Sequence, residues 1–172
     1  MSASEELEEH VHHAREPFDK AVAATMAIIA ALLAVVSVLR THYNTEMLMN
    51  QQLASDQWAY FQAKDIRRYL AQEAQDTLSE LRAAPSAIQK YTQDANRYKA
   101  QGAEIQKKAN EFENERNVAR QKVQWFHFGE LFLEIAIVFL SLAILTKRKP
   151  IYVAGVVLAV VGIGLSAAGY WA

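Results

Sequence analysis

Four polar side chains interrupt an apolar stretch in the last third of the chain: His127, Glu130, Glu134 and Ser141. Their spacing puts them on one face of a helix. If that helix enters a membrane near Trp125, Glu130 lies about 7 Å below the interface and Glu134 about 13 Å below it, near the midplane. An acid at that depth costs about 3 kcal/mol on insertion scales and has to face another helix, water or a counter-charge. Such a residue is suited to hold a proton, pass protons along, or line an ion path in an oligomer. A later membrane entry would instead leave both acids in the headgroup zone, near Arg120, Lys122 or Arg40. His127, Glu130 and Glu134 also have ligand chemistry, but the apolar segments offer no second ligand set. The amino-terminal Glu9, His12 and His13 contain one Glu-x-x-His element. Di-iron bundles need two such elements plus further Glu, so a solvated acidic arm is expected. Neither a metal nor another cofactor is expected.

A second constellation lies in the stretch Ser55–Lys64, S-D-Q-W-A-Y-F-Q-A-K. Trp58, Tyr60 and Phe61 cannot all turn toward one seam of a two-helix pair, so part of the group has to be covered by another copy or a partner protein. Trp58, Tyr60, Phe61 and Lys64 are the expected partner or oligomer surface. The chain has no cysteine, which excludes disulfides, thiolate metal sites and cysteine nucleophiles. No Ser-His-Asp set, P-loop or dinucleotide fingerprint is present, and no catalytic residue is assigned. A net charge of -1 with no basic domain argues against nucleic acid.

The elements that carry these residues follow from an uneven distribution of charge. Mean hydropathy is -0.06 and the apolar fraction 52%, values ordinary for a soluble protein. Yet Val22–Leu39, Ile135–Thr146 and Ile151–Ala172 contain no charge at all. Segments of this kind are membrane-span candidates. Only six Gly and three Pro are present, so the chain is expected to be all-α. The reading is an acidic, His-containing segment at 1–20, a first span at 21–40, an extramembrane helical hairpin at 41–125, a second span at 126–146 and a third at 151–171. The first span is retained rather than cleaved, because its flank is acidic and no small-residue cleavage site follows. Its 19 residues Ala21–Leu39 reach about 28 Å.

Residues 41–127 mix 12 Lys/Arg with 11 Asp/Glu. Pro85 ends one helix and starts the next, placing the hairpin tip there. In the second arm Ile88, Tyr91, Ala95, Tyr98, Gly102, Ile105, Ala109, Phe112, Arg116, Ala119, Val123 and Phe126 alternate three and four apart, a coiled-coil seam. The first arm shows a looser seam at Ala59, Ala63, Ile66, Leu70, Ala74, Leu78 and Leu81. In the spans, small residues fall on two stripes: Ala23, Ala27, Ala30 and Ala34 in the first, and Gly155, Ala159, Gly162, Ser166 and Gly169 in the third. Helices in lipid associate through close packing at such residues, within one chain or between subunits. Three spans offer few partners for two stripes, which favours a homo-oligomer.

The Lys147-Arg148-Lys149 turn and the amino terminus share one side of the membrane. The basic turn argues that this side is cytoplasmic, which puts the hairpin outside. The acidic head, the Ala-rich span, Ser55–Lys64, the F-G-E-x-x-x-E segment Phe128–Glu134 and the basic turn together resemble a bacterial membrane family described only as a domain of unknown function. The resemblance covers nearly the whole chain and rests most on Ser55–Lys64. It implies an integral protein of the bacterial inner membrane and supplies no activity. The expected function is a non-enzymatic, self-associating membrane scaffold or partner-binding subunit that uses its hairpin. The competing expectation is an oligomeric ion or proton channel lined by Glu134 and Glu130.

Overall fold

The computed structural model describes residues 17–171. The segment 1–16, with its Glu9, His12 and His13, lies outside them. The described chain is three helices with no strand: α1, Pro17–Glu80; α2, Pro85–Thr146; and α3, Lys149–Trp171. All three are long and apolar enough to cross a membrane. At 64 and 62 residues, α1 and α2 far exceed the roughly 20 residues a bilayer needs. The chain divides into two compact units, one of residues 17–44 with 120–171 and the other Thr45–Ala119. Both long helices contribute to each.

The helix ends are set by local chemistry. α1 closes on Arg82, whose φ of 52° is left-handed. The Ala83 N–H bonds back to the Leu78 carbonyl at 2.9 Å and the Arg82 N–H to that of Ser79 at 3.1 Å. This is the paired-bond C-terminal cap usually built with glycine. Pro85 then opens α2 at the first helical position, where its missing N–H costs nothing. α2 ends in the same sense at Lys147, φ 57°.

In the first unit α1 contributes Val22, Ile29 and Val36, spaced seven apart, to a core with Phe126, Leu133, Ala136, Leu140 and Ala143 of α2 and Ala159 of α3. Tyr152 of α3 meets α1 twice, edge-on to Phe18 at 5.9 Å and through its hydroxyl to Thr25 at 3.2 Å. Tyr43 stacks on the buried Phe126 at 5.6 Å. At the opposite end Lys147 pairs with Asp19.

The alanine stripe of the first span does not pack within the chain, which leaves contact between subunits as the remaining expectation for it. Ala23, Ala27, Ala30 and Ala34 are exposed. Glycines already bring α2 and α3 together, so α1 lies on the surface of that pair. There the branched side chains of Val22, Ile29 and Val36 fill space that alanines would leave empty.

In the second unit α1 and α2 run side by side in opposite directions. Gln51 meets Arg116, Trp58 meets Glu113, and Phe61 lies over Gly102. Every residue of the second-arm series from Ile88 to Ala119 is buried or half-buried, with Ala109 fully enclosed. The first-arm series requires correction: Ala59, Ala63, Ile66, Leu70 and Leu81 are exposed, and only Ala74 and Leu78 are half-buried. The inward positions of this arm are Asn50, Ala54, Trp58, Phe61, Lys64, Arg68 and Ala71. Trp58, bonded to Glu113, and Phe61, seated on Gly102, turn the helix this way.

Candidate functional site

The polar residues of α2 lie at the edge of its packing face rather than in its middle. Phe126, Gly129, Leu133, Ala136, Leu140 and Ala143 form the buried face. Glu130 sits on the margin of that face and is 8% exposed. His127, Glu134 and Ser141 fall just beyond it and are exposed on the outside of the three-helix unit. The four residues therefore share a side of the helix without sharing an environment.

Glu130 is held by Arg40 of α1, with Arg40 Nε 2.6 Å from Glu130 Oε2. The Nε hydrogen makes no aligned hydrogen bond, so the contact is an ion pair set by proximity. One turn further along α1, the Lys122 ammonium lies 5.1 Å from the ring centroid of Tyr43, which stacks on Phe126. This end of the unit is thus a belt of charge and aromatic surface, with Trp125 beside it.

The two charged pairs bracket an apolar band. From Asp19 to Arg40 along α1 is about 32 Å, and from Glu130 to Lys147 along α2 about 26 Å. A hydrocarbon core of about 30 Å matches that band. Glu134 is one turn, about 6 Å, inside the Glu130 end. Of the two expected settings for these acids, the pairing of Glu130 with Arg40 favours the one at the edge of the apolar segment.

The closest packing lies between α2 and α3. Gly155, Ala159, Gly162, Ser166 and Gly169 are all buried. A side chain added at Gly162 would come within 2.8 Å of the Gly129 carbonyl oxygen, and one at Gly129 within 2.8 Å of the Gly162 oxygen. Each glycine thus leaves open the place its opposite number's carbonyl fills. Ser166 donates its hydroxyl to the Gly162 carbonyl at 2.9 Å within its own helix. Gly169 faces Trp125, whose Cβ is 2.5 Å from where a methyl would be. Gly129 was missed in the sequence, although a glycine in mid-helix costs about 1 kcal/mol and signals a packing reason.

A family model described as a domain of unknown function, DUF4337, matches residues 18–172. The chain belongs to the DUF4337 family. No curated protein and no solved structure matches it.

In the second unit, two of the four residues expected to form a partner surface are engaged within the chain. Trp58 donates its indole N–H to Glu113 at 2.8 Å and packs edge-on against Phe61 at 5.7 Å. Phe61 in turn reaches Gly102, with 3.5 Å to where a methyl would be. Tyr60 is exposed, and Lys64 lies between Tyr60 and Tyr98, 5.1 and 5.7 Å from their ring centroids. Trp58 and Phe61 are therefore a clamp between the arms, and Tyr60 with Lys64 lies at its edge. Among the described residues, no group of three or more His, Asp or Glu is arranged to hold a metal.

Proposed function

We infer that this chain is a non-enzymatic, self-associating integral membrane protein, a scaffold or partner-binding subunit that works through its helical hairpin, Thr45–Ala119. The observation that carries the reading is the apolar outer side of the first arm. Ile66, Tyr69, Leu70 and Leu81 are each more than half exposed in a segment rich in charge. Large apolar groups clustered on one side of a polar element mark an interaction surface. The three-to-four spacing of the buried second-arm positions supports a coiled-coil-like pairing of the arms.

The membrane is the bacterial inner membrane on this reading, with residues 1–16 and the 147–150 turn cytoplasmic and the hairpin outside. Lys147, Arg148 and Lys149 in so short a connection support that orientation. Native mass spectrometry of the detergent-solubilised protein tests the reading: a discrete oligomer is expected, and a monomer at all concentrations overturns it.

A second reading draws on a different observation. His127, Glu134 and Ser141 are exposed on the outside of the three-helix unit while Glu130 is turned in and paired. An ion or proton path would then run between copies and be lined by Glu134 rather than Glu130. Glu134→Gln in proteoliposomes decides it. Loss of flux with the oligomer intact supports a path, and unaltered flux removes it.

A further inference from the structure

We propose that the outer stripe of the first hairpin arm is covered by the same stripe of a second copy of this chain, the two helices running parallel and in register. The proposal rests on the self-association reading and names its surface, partner and direction.

The stripe consists of Ala59, Ala63, Ile66, Leu70, Ala74 and Leu81. At 100° per residue all of them fall within about 40° of Leu70. Ile66, Leu70 and Leu81 are 60%, 59% and 72% exposed. Ala59 and Ala63 are exposed as well, and Ala74 is half-buried. The spacing is that of a helix–helix seam, yet Ala59, Ala63, Ile66 and Leu81 are left exposed, and Tyr91 of the second arm borders the stripe at Leu70 and Ala74 without covering it. The second arm packs on other sides of α1, against Phe61 and Ala71, about 180° and 100° from Leu70.

Charge chooses both the occupant and its direction. Arg67 and Glu73 flank the stripe on opposite sides, each about 60° from Leu70. Both are exposed, and neither belongs to an ion pair among the described residues. When two identical helices pair in parallel, the left flank of one meets the right flank of the other. Arg67 then faces Glu73 of the second copy at an axial offset of about 9 Å, within reach of two extended side chains, and the pair forms twice. In an antiparallel pair, like flanks meet instead. Arg67 would then share a side with Arg67 of the second copy, and Glu73 with Glu73, which is destabilising. The exposed surface of the second arm is no substitute: Lys90, Gln93, Arg97, Lys107 and Lys108 leave it without an apolar stripe.

The chain has no cysteine, so single cysteines report contacts without background. Ala63→Cys, Leu70→Cys and Leu81→Cys are made in the full chain, with Gln93→Cys on the outside of the second arm as control, and oxidised in native membranes. Disulfide-linked dimers are expected at all three stripe positions and not at Gln93. Linking at Leu70 alone signals an antiparallel pair and overturns the proposal, as does linking at none of the three. Native mass spectrometry of the unsubstituted protein separates the two levels: a monomer removes self-association altogether, while an oligomer without these crosslinks removes only this surface. Arg67→Glu is expected to weaken the dimer about tenfold, and Arg67→Glu with Glu73→Arg to restore it. Helicity by circular dichroism confirms that each variant is folded. No loss with Arg67→Glu, or no recovery in the double variant, refutes the charge pairing that sets the direction.

Discussion

The contact between Gly129 and Gly162 allows a quantitative test of what holds the three-helix unit together. An alanine at position 129 would put its methyl 2.8 Å from a backbone oxygen and 2.0 Å from Ser166 Oγ. The hydroxyl can rotate away, giving up its 2.9 Å bond to Gly162 at about 1 kcal/mol. The backbone carbonyl cannot rotate, so α2 and α3 must separate by about 0.6 Å to recover ordinary contact. Overpacking of this kind costs about 1–3 kcal/mol. Alanine's higher helix propensity returns up to about 1 kcal/mol. The net expectation is a loss of about 2 kcal/mol, roughly 30-fold in the folding equilibrium.

Gly164 supplies the control, because nothing lies within 4 Å of the position its side chain would take. Gly164→Ala should be neutral or stabilising by up to about 1 kcal/mol. Gly162→Ala should resemble Gly129→Ala, and Gly155→Ala should be milder, since its closest neighbours are 3.1–3.3 Å away. The assay is titration of the micelle-embedded protein with sodium dodecyl sulfate, followed by fluorescence of Trp125, which packs against Gly169. A Gly129→Ala variant as stable as the parent refutes the reasoning. So does a Gly164→Ala variant that is equally damaged, since sensitivity would then follow glycine content rather than contact.

Other outcomes follow from the same geometry. Arg82→Gly should stabilise the chain by about 1 kcal/mol, because glycine adopts the left-handed φ of 52° without penalty; thermal unfolding followed by circular dichroism checks it. Ala84→Asp should add about 1 kcal/mol by capping α2, whose first turn bonds only to the Ala84 carbonyl, with the same readout. Arg40→Gln should destabilise the first unit by roughly 1–3 kcal/mol, a figure reduced for its partial exposure, by leaving Glu130 without its partner. The double variant Arg40→Gln with Glu130→Gln should recover most of that loss in the detergent titration. Trp58→Phe should cost about 1 kcal/mol through the lost bond to Glu113 and leave the first unit's unfolding unchanged.

The apolar segments and the boundary at Pro85 were legible because they depend on local composition and on one residue with fixed geometry. The α3 stripe was legible for another reason. Gly155, Gly162 and Gly169 recur seven residues apart with small residues between them at helical spacing, which is the pattern of close approach, whereas Gly164 falls off that spacing and meets nothing. The stripe at Ala23, Ala27, Ala30 and Ala34 did not reveal which residues pack within the chain: in an Ala-rich helix such spacing arises by composition, and the larger Val22, Ile29 and Val36 took the inner face. The ion pair between Arg40 and Glu130 joins residues 90 positions apart. Spacing along one helix cannot single out that partner, so Arg40 stood beside Arg120 and Lys122 as a candidate counter-charge until the fold chose it. The second-arm series held its face because a single apolar stripe crosses that arm.

The first arm carries two stripes, and the way they are used bears on function. Its inward side has Asn50, Lys64 and Arg68 among small residues, with Trp58 and Phe61 as the only large apolar groups between them. Its outward side has the aliphatic Ile66, Leu70 and Leu81. A helix optimised for a hairpin standing alone would have these reversed, since burying one Leu or Ile side chain stabilises by about 1.5–3 kcal/mol relative to leaving it in water. Arm-to-arm pairing instead depends on a few specific contacts, the Trp58–Glu113 bond and the Phe61–Gly102 seat among them. Such contacts fix register and spend little apolar surface. The larger hydrophobic surface remains available for a second chain, so the arrangement favours association at the hairpin over self-sufficiency of a single copy.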